Sequence, residues 1–286
     1  MSEPPGTPAP GAVRVRPART MGELAAVSRL QAEIWGSNRV AAPASILRAI
    51  TDAGGLALLA WSGARPVGFT YGFTGRTPEG ALYHRSHSAG VLPAFRDLGV
   101  GQTLKLAQRR AVLASGLDRI VWTFDPTQIR NAHFNLRRLG ATARGFRRNY
   151  YGDRDDALNR SGPTDRLFVE WLLTAPQLAE LARLRRSQPR GWVRVPDGLP
   201  AEPGGEQGVA RRLQARLRRD LERELASGLQ IIDFDAESRS YRLAELPSWF
   251  PIPAEGRGPS SPPASRRSRS SASASESRPS TSISPP

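Results

Sequence analysis

The sequence has no cysteine, a single lysine and only three histidines among its 286 residues. Without cysteine, disulfide bonds, thiolate-ligated metals and a cysteine nucleophile are all excluded. No run of about 18 apolar residues is present, so no membrane-spanning helix and no membrane partner are expected. Residues 1–11 are rich in proline and glycine and lack the apolar core of a secretory signal peptide. The expected location is therefore the cytoplasm.

Acidic residues are scarce relative to basic ones, which gives a formal net charge of +15. Such a charge ordinarily favours nucleic-acid binding. Lys105 is the sole lysine, however, and the arginines that make up the other basic residues are spread along the whole chain. That skew indicates a compositional bias rather than a phosphate-binding surface, so a nucleic acid is not the expected partner.

The chain divides by pattern into four segments. Residues 1–12 are predicted to be disordered, and 13–175 alternate strand and helix patterns typical of an α/β domain. Residues 176–253 form a small appended α/β unit with one amphipathic helix. Residues 254–286 consist mainly of Ser, Pro, Arg and Ala and are predicted to be disordered. RNA binding by the Ser/Arg run in this tail is a minor hypothesis.

The most informative stretch joins a predicted strand to a predicted helix. The strand ends at Val91, Pro93 follows, and Gly99 and Gly101 lie just before a helical pattern. Glycines allow backbone N–H groups to turn outward, and a helix N-terminus carries partial positive charge. Such a turn binds phosphate, typically a pyrophosphate. An ordinary strand-to-helix turn without a ligand is the alternative.

Residues Arg96–Gly101 read Arg-Asp-Leu-Gly-Val-Gly, with Val91, Pro93 and Phe95 before them. This stretch resembles the coenzyme A signature of the GCN5-related N-acetyltransferase superfamily, Arg/Gln-x-x-Gly-x-Gly/Ala. The resemblance covers roughly residues 13–174 and implies a mixed, mostly antiparallel sheet flanked by helices in the order βααβββαβαββ. It also implies an acyl-coenzyme A, such as acetyl-CoA, as the cofactor, with no metal.

The resemblance further implies how the cofactor is held. The strand before the turn would pair with the pantetheine amides through Ala89, Gly90 and Val91, and a backbone N–H near Val91 or Leu92 would polarise the thioester carbonyl. Arg96 and Lys105 would be available to the phosphates. The full set of expected cofactor contacts is Gly90, Val91, Leu92, Arg96, Asp97, Leu98, Gly99, Val100, Gly101, Gln102, Asn131 and Asn135.

A base must deprotonate the incoming amine, and the candidates are His84, His87 and Asp125. The two histidines are three residues apart on one strand, so they are expected to face opposite sides of the sheet. Each candidate also has a structural alternative. A histidine on a strand is commonly a satisfied core residue, and Asp125 precedes Pro126, as in an ordinary turn.

The helix over residues 129–139 departs from the family pattern, because Leu136 occupies the position where the family usually has a tyrosine acid. Asn131 and Asn135 are four residues apart and are expected to share a helix face that suits the pantetheine amides. The surrounding motifs resemble a subgroup of predicted acetyltransferases, some of which are linked to N-succinylation of amino acids. In that case Arg138 or Arg148 would pair with the carboxylate of a succinyl donor.

The function predicted from the sequence is that of an N-acyltransferase. It would move an acetyl or succinyl group from coenzyme A to the amine of a small metabolite, such as an amino acid. Attack within a ternary complex is favoured, because no cysteine is present to carry the acyl group. The alternative is a non-catalytic or regulatory acyl-CoA-binding module. A homodimer is a further expectation, because the appended unit has apolar faces that would suit one.

Overall fold

The computed structural model describes residues 13–36, 41–152, 163–199 and 207–247. The predicted disordered segments, residues 1–12 and 254–286, lie outside the described residues. None of the helices in the described ranges is long and apolar enough to cross a membrane.

The described elements follow the predicted order through the α/β domain. They are β1 (Arg14–Pro17), α1 (Met21–Trp35), α2 (Ala44–Asp52), β2 (Leu56–Ser62), β3 (Arg65–Arg76), β4 (Leu82–Val91), α3 (Val100–Ala114), β5 (Arg119–Phe124), α4 (Ile129–Ala132), β6 (Thr142–Arg147), β7 (Arg166–Leu172), α5 (Ala175–Arg186), β8 (Gly191–Arg194), α6 (Gln207–Ala226), β9 (Gln230–Asp235) and β10 (Ser240–Ala244). A 3₁₀ turn, Pro93–Phe95, precedes α3, and α4 continues as a π-helical stretch, His133–Arg138.

The ten strands form one sheet in the order β1-β2-β3-β4-β5-β7-β6-β9-β10-β8. Neighbouring strands are antiparallel except for β4 and β5, which are parallel. The mixed, mostly antiparallel sheet with flanking helices confirms the predicted fold class, and β1 to β7 confirm the order βααβββαβαββ.

Helices cover both faces of the sheet beside β4. Phe69 in β3 packs against Trp35 of α1, with ring centroids 5.7 Å apart. The adjacent residue, Gly68, faces α3, because a Cβ placed there would lie 3.1 Å from Leu104. Successive strand residues point to opposite sides. We call these two sides the α1 face and the α3 face of the sheet.

The start of α1 shows how a few adjacent residues begin a helix. The Thr20 hydroxyl accepts a hydrogen bond from the Glu23 backbone N–H at 3.2 Å, and the Glu23 carboxylate accepts one from the Thr20 N–H at 3.1 Å. This reciprocal capping box satisfies two N–H groups that the first turn leaves without helical partners. Gly36 ends the helix in the left-handed conformation, with φ of 69°.

A β-bulge interrupts β4 beside the parallel pairing. Tyr71 pairs with Ser88 and Gly72 pairs with Ser86, so His87 is the extra residue on β4. The bulge is tied to a close approach of the backbones, since a Cβ at Gly72 would lie 2.2 Å from the Arg85 carbonyl oxygen. Bulges re-aim a side chain and end regular pairing. Here the bulge redirects β4 just after it has separated from β5 at Arg85.

The sheet and one hydrophobic core continue from the α/β domain into the predicted appended unit. β6 meets β9 at the pair Ala143–Ile231, and β8 forms the far edge beside β10. Leu217 and Leu221 of α6 belong to the same buried cluster as Trp122 and Val169. The boundary at residue 175 stays a prediction, but neither sheet nor core is interrupted there.

Candidate functional site

A gap opens between β4 and β5 at the centre of the sheet. Their parallel pairing consists of two residue pairs, His84–Ile120 and Arg85–Val121, after which the strands diverge. The second half of β4 therefore has β3 on one side and the gap on the other. Its backbone edge along the gap is the open edge that the family resemblance assigns to pantetheine.

The hydrogen bonding of β4 shows which of its groups face the gap. The Leu92 N–H donates to the Val67 carbonyl of β3 at 3.0 Å. In an antiparallel pair the bonded and non-bonded positions alternate, so Gly90 also bonds toward β3. Val91 and Ala89 then direct their N–H and C=O groups into the gap. Of the expected partners, Ala89 and Val91 stay predictions that this orientation favours, whereas the bond to Val67 occupies the Leu92 N–H and the alternation turns Gly90 toward β3.

The glycine turn lies at the mouth of this gap. Gly99 is the N-cap of α3 with φ of 79°, a conformation that glycine adopts without strain, and no side chain caps the helix. Val100, Gly101 and Gln102 are the first three residues of α3, whose N–H groups have no partner within the helix. Their N–H groups and the helix dipole together suit a phosphate.

The side of Gly101 faces the route from the turn to the gap. A Cβ placed there would lie 3.8 Å from Phe134, in the helix after β5, and 3.9 Å from Val91, at the end of β4. The glycine therefore keeps open the space between the two walls. A large side chain at this position would fill it.

Charged side chains surround the turn in an arrangement that the sequence did not predict. Arg96 donates its Nε–H to the Val91 carbonyl at 3.2 Å. Asp97 has φ of 63° and pairs with Arg130 through both carboxylate oxygens at 2.7 and 2.8 Å. The Arg130 side chain is 75% exposed. Leu98 is exposed as well, so this loop presents its side chains outward.

His87 lies on the α1 face of the sheet, at the bulge. Its ring is 5.4 Å from the ring of Tyr71 and 5.9 Å from that of Phe73. Loss of hydration beside these rings, and then the nearby Arg85 guanidinium, lower the pKa of His87 below the ordinary 6.5, although the residue is exposed at the surface. His87 is therefore neutral at pH 7 and holds a lone pair for a proton.

Hydroxyl groups also lie on the α1 face, on the β5 side of the gap. The Thr123 hydroxyl on β5 lies 3.0 Å from the Tyr151 hydroxyl. Burial, together with the nearby Tyr151, raises the pKa of Tyr71 to about 12, so Tyr71 keeps its proton. Arg85 lies over Phe168 at 5.5 Å and Arg166 over Tyr151 at 5.2 Å. The α1 face beside the gap thus combines aromatic rings, hydroxyls and positive charge.

His84 faces the opposite side, which confirms that the two histidines are separated by the sheet. It is 3% exposed, and its Nε2 lies 3.1 Å from the Gln108 amide nitrogen of α3. Burial and then the nearby Lys105 lower the pKa of His84 to about 4. Because Gln108 donates to Nε2, that lone pair is already used. His84 is placed as a satisfied core residue, not as a base.

Lys105 does not reach the phosphate turn, which corrects the expected phosphate contact. Its Nζ donates to the Ser86 hydroxyl at 3.0 Å and to the Gln108 carbonyl oxygen at 2.8 Å, and lies 4.0 Å from the centre of the Trp122 ring. The residue is 4% exposed. Burial lowers its pKa to about 7. The reason for the correction is helix phase, which turns this side chain toward the sheet.

Asp125 caps a turn, which was the structural alternative to a role as catalytic base. One carboxylate oxygen accepts hydrogen bonds from the Thr127 backbone N–H at 2.9 Å and from its hydroxyl at 2.8 Å. Burial raises the pKa of Asp125 despite these two bonds. An oxygen that already accepts two hydrogen bonds within an Asx turn is a poor proton acceptor, so this position does not favour a catalytic base.

The two asparagines of the helix after β5 do not share one exposed face. Asn131 is exposed, whereas Asn135 is buried. The helix changes to π-helical turns at His133, and such turns take more residues than α-helical ones, so the i, i+4 relation no longer holds. Leu136 is fully buried in the core. The expected tyrosine position is thus occupied by a core residue.

The two arginines proposed for a succinyl carboxylate differ in their contacts. Arg148 forms two hydrogen bonds of 2.6 Å with Glu222 of α6, and this pairing raises its pKa. Arg138 is exposed. The pairing of Arg148 removes the reason for assigning it to the substrate, whereas the assignment of Arg138 stays a prediction.

The buried Lys105 has a consequence for stability that a pH series measures. Its pKa in the folded chain is about 7, below the ordinary 10.5, so between these values the unfolded chain holds more protons. Stability therefore rises with pH across that window. We expect Lys105→Met to unfold at a higher temperature than the wild type at pH 7 and the difference to shrink by pH 10. Thermal unfolding of both proteins measures it, and a constant difference would contradict the buried ammonium.

No group of three or more potential metal ligands occurs among the described residues. The residues that can hold a cofactor are those of the turn and the gap, whose outward N–H groups suit phosphates and amides rather than a cation.

Sequence reasoning missed several residues beside the gap. These are Tyr71, Arg85, Ser86, Gln108, Trp122, Thr123, Arg130 and Tyr151. Most lie on β3, β4 and β5 in patterns that also fit buried strands, and their proximity depends on strand pairing. One signal pointed to the three of them that contact Lys105, namely Ser86, Gln108 and Trp122. Lys105 is the sole lysine of a chain that otherwise uses arginine.

Comparisons with known proteins give likeness in structure only. No protein-family model matches the sequence, and no curated protein matches it significantly. The ribosomal-protein-S18-alanine N-acetyltransferase of Escherichia coli is similar with 13% identity and a TM-score of 0.46, covering 57% of this chain and 95% of that one. A phosphinothricin acetyltransferase of Sinorhizobium meliloti has 14% identity and a TM-score of 0.46, and the match covers 57% of this chain and 89% of that one. The putative acetyltransferase yncA of Salmonella typhimurium has 17% identity and a TM-score of 0.44, and the match covers 57% of this chain and 95% of that one. Scores this low carry no argument about activity, which therefore depends on this chain's own residues.

Proposed function

We propose that the chain is an acyl-CoA-dependent N-acyltransferase of the GCN5-related kind, with the donor bound between β4 and β5. The observation that carries this proposal is the continuity of two features. The uncapped N-terminus of α3 lies at the mouth of the gap, and the outward groups of Ala89 and Val91 line the gap itself. A ligand with a pyrophosphate joined to an extended chain of amides would meet these two features in the same order.

The donor would occupy the gap as an additional strand. Its pyrophosphate would accept hydrogen bonds from the N–H groups of Val100, Gly101 and Gln102. Its amides would pair with Ala89 and Val91. The thioester would then lie deepest in the gap, toward the bulge, where an N–H group of β4 polarises the carbonyl.

His87 is the proposed base for the acceptor amine. It is neutral at pH 7 and lies on the α1 face, at the part of β4 that the thioester would reach. The amine, entering from the α1 face, would give its proton to His87 and attack the thioester carbon directly. No covalent acyl-enzyme is required, because the chain has no cysteine.

The acceptor is proposed to be a small amine that also carries a carboxylate, such as an amino acid. Tyr71 and Tyr151 supply rings and hydroxyls on the α1 face, and the guanidinium groups of Arg85 and Arg166 lie over rings of the same face. A guanidinium group binds a carboxylate in a bidentate manner, which suits an acceptor that carries one. A homodimer is proposed as well, from the apolar faces of the appended unit in the sequence.

The acyl group is proposed to be acetyl, with succinyl as the variant that the sequence resemblance suggests. Arg138 remains the arginine proposed for a succinyl carboxylate, since Arg148 is paired with Glu222. Release of free coenzyme A thiol, measured with both donors across the common amino acids, distinguishes the two. Equal turnover of both donors would exclude a dedicated carboxylate site.

The second candidate function is a non-catalytic acyl-CoA-binding module. The observations that favour it are the fully buried Leu136 at the expected acid position and the use of Asp125 as a turn cap. The same thiol assay decides between the two functions. Binding of acetyl-CoA without thiol release in the presence of any amine would favour the module.

A further inference from the structure

Lys105 reaches the floor of the gap from the α3 face. The last paired residues of the two strands are Arg85 and Val121, so Ser86 and Trp122 are the first positions at which β4 and β5 are separate. The Lys105 Nζ lies between these two residues, 3.0 Å from the Ser86 hydroxyl and 4.0 Å from the Trp122 ring centre. A donor in the gap would direct its thioester end toward this floor.

The hydrogen bonds of Lys105 serve both of its protonation states. Ser86 and Gln108 accept two N–H bonds, which is the number that a neutral amine donates. The ammonium form has one further proton, whose nearest neighbour is the face of Trp122. Loss of that proton therefore breaks neither hydrogen bond. The amine is held in place whether or not it is charged.

The side chains that surround the Lys105 amine are uncharged. In the described ranges, no carboxylate forms an ion pair with Lys105, and burial alone lowers its pKa to about 7. On β4 the titratable neighbour is His84, which Gln108 holds in its neutral form. On β5 the neighbour is the uncharged Trp122, and on α3 it is the uncharged Gln108. A proton on Lys105 is thus more readily released than that of an ordinary lysine.

We propose that Lys105 is the acid that protonates the departing coenzyme A sulfur. This inference rests on the proposed function, because it needs a thioester in the gap. The amine nitrogen bonds to the carbonyl carbon, and the C–S bond breaks with its electron pair on sulfur. The Nζ proton of Lys105 passes to that sulfur and gives the free thiol. Lys105 then takes up a proton from solvent, and His87 releases the one it accepted.

The direction of transfer is favourable. A thiol has an ordinary pKa of about 8.5, above the value of about 7 for Lys105, so the proton moves from the nitrogen to the sulfur downhill. Arginine cannot replace lysine in this role, because its pKa is too high to release the proton. The use of lysine at this one position, in a chain whose other basic residues are arginine, agrees with that requirement.

The first test uses the single lysine as a spectroscopic probe. In protein labelled with ¹⁵N- and ¹³C-lysine, the only lysine signal reports Lys105. We expect it to titrate near pH 7, to shift when coenzyme A binds, and to shift far less with desulfo-coenzyme A, which lacks the sulfur. Equal shifts with the two ligands would overturn the proposal. Failure of both ligands to bind in calorimetry would overturn the proposed function and this proposal with it.

The second test is kinetic. Lys105→Met should keep its affinity for acetyl-CoA within about threefold and lower kcat by about 100-fold, a typical contribution of a general acid. The fall in wild-type kcat as pH rises through about 7 should disappear in this variant. Lys105→Arg should be as slow as Lys105→Met. An active wild type with Lys105→Met at full rate and an unchanged pH profile would overturn the role of Lys105 while leaving the proposed function intact.

Discussion

Gly101→Trp is expected to lower the affinity for acetyl-CoA by at least about 100-fold, which corresponds to about 2.7 kcal/mol. The reason is steric, since the new side chain would start between Phe134 and Val91, the two walls of the route into the gap. Gly101 is the second residue of a 15-residue helix and has no positive φ, so the backbone tolerates a side chain there. Calorimetric titration with acetyl-CoA measures the loss.

A matched control comes from the other long helix of the domain. Gly22 is also the second residue of a 15-residue helix, α1, and a Cβ there would meet no atom closer than the Thr20 hydroxyl at 3.9 Å. Gly22→Trp makes the same chemical change away from the gap, and its affinity should equal that of the wild type. Equal affinity of both variants for acetyl-CoA would show that the turn is not part of the binding site.

His87→Gln is expected to lower kcat/KM by about 100-fold, at the lower end of what a general base contributes. A base must be deprotonated to act, so wild-type activity should rise with pH through the pKa of His87. Loss of hydration beside the Tyr71 and Phe73 rings, together with Arg85, holds that pKa below 6.5, which places the rise on the acid side of the ordinary histidine value. In the variant this rise should be absent. Thiol release measured from pH 5 to 9 tests both expectations.

His133→Gln provides the comparison for that experiment. His133 lines a different cavity, of about 370 Å³, together with Arg137, Trp192 and Asp233. Its replacement should leave both the rate and the acid limb unchanged. If His87→Gln retains full activity with an unaltered pH profile, another group deprotonates the amine and the assignment of His87 is wrong.

The parts of the fold that depend on local sequence were predictable. The Thr20–Glu23 capping box and the Gly99–Gly101 turn are each encoded within a few residues, and the turn has the expected form. The element order also follows from patterns that are local to each strand and helix. The glycine turn and the helix after it could therefore be located before any contact was known.

The parts that depend on pairing between distant segments were not predictable. The bulge at His87 exists because Gly72 of β3 approaches the β4 backbone closely, and a sequence pattern does not contain that register. Leu92 was a reasonable oxyanion donor until its N–H was found bonded to Val67. The inward direction of Lys105 depends on the phase of α3 relative to the sheet. Each of these features is set by tertiary structure.

The most direct test of the account is residue-resolved amide hydrogen exchange of β4, measured by NMR with and without acetyl-CoA. The N–H groups of Ala89 and Val91 face the gap, whereas Leu92 is already bonded to Val67 and Gly90 is turned toward Phe69. With the donor in the gap, acetyl-CoA should slow exchange at Ala89 and Val91 far more than at their two neighbours. Binding of acetyl-CoA with unchanged exchange at Ala89 and Val91 would contradict it, because the donor would then lie outside the gap.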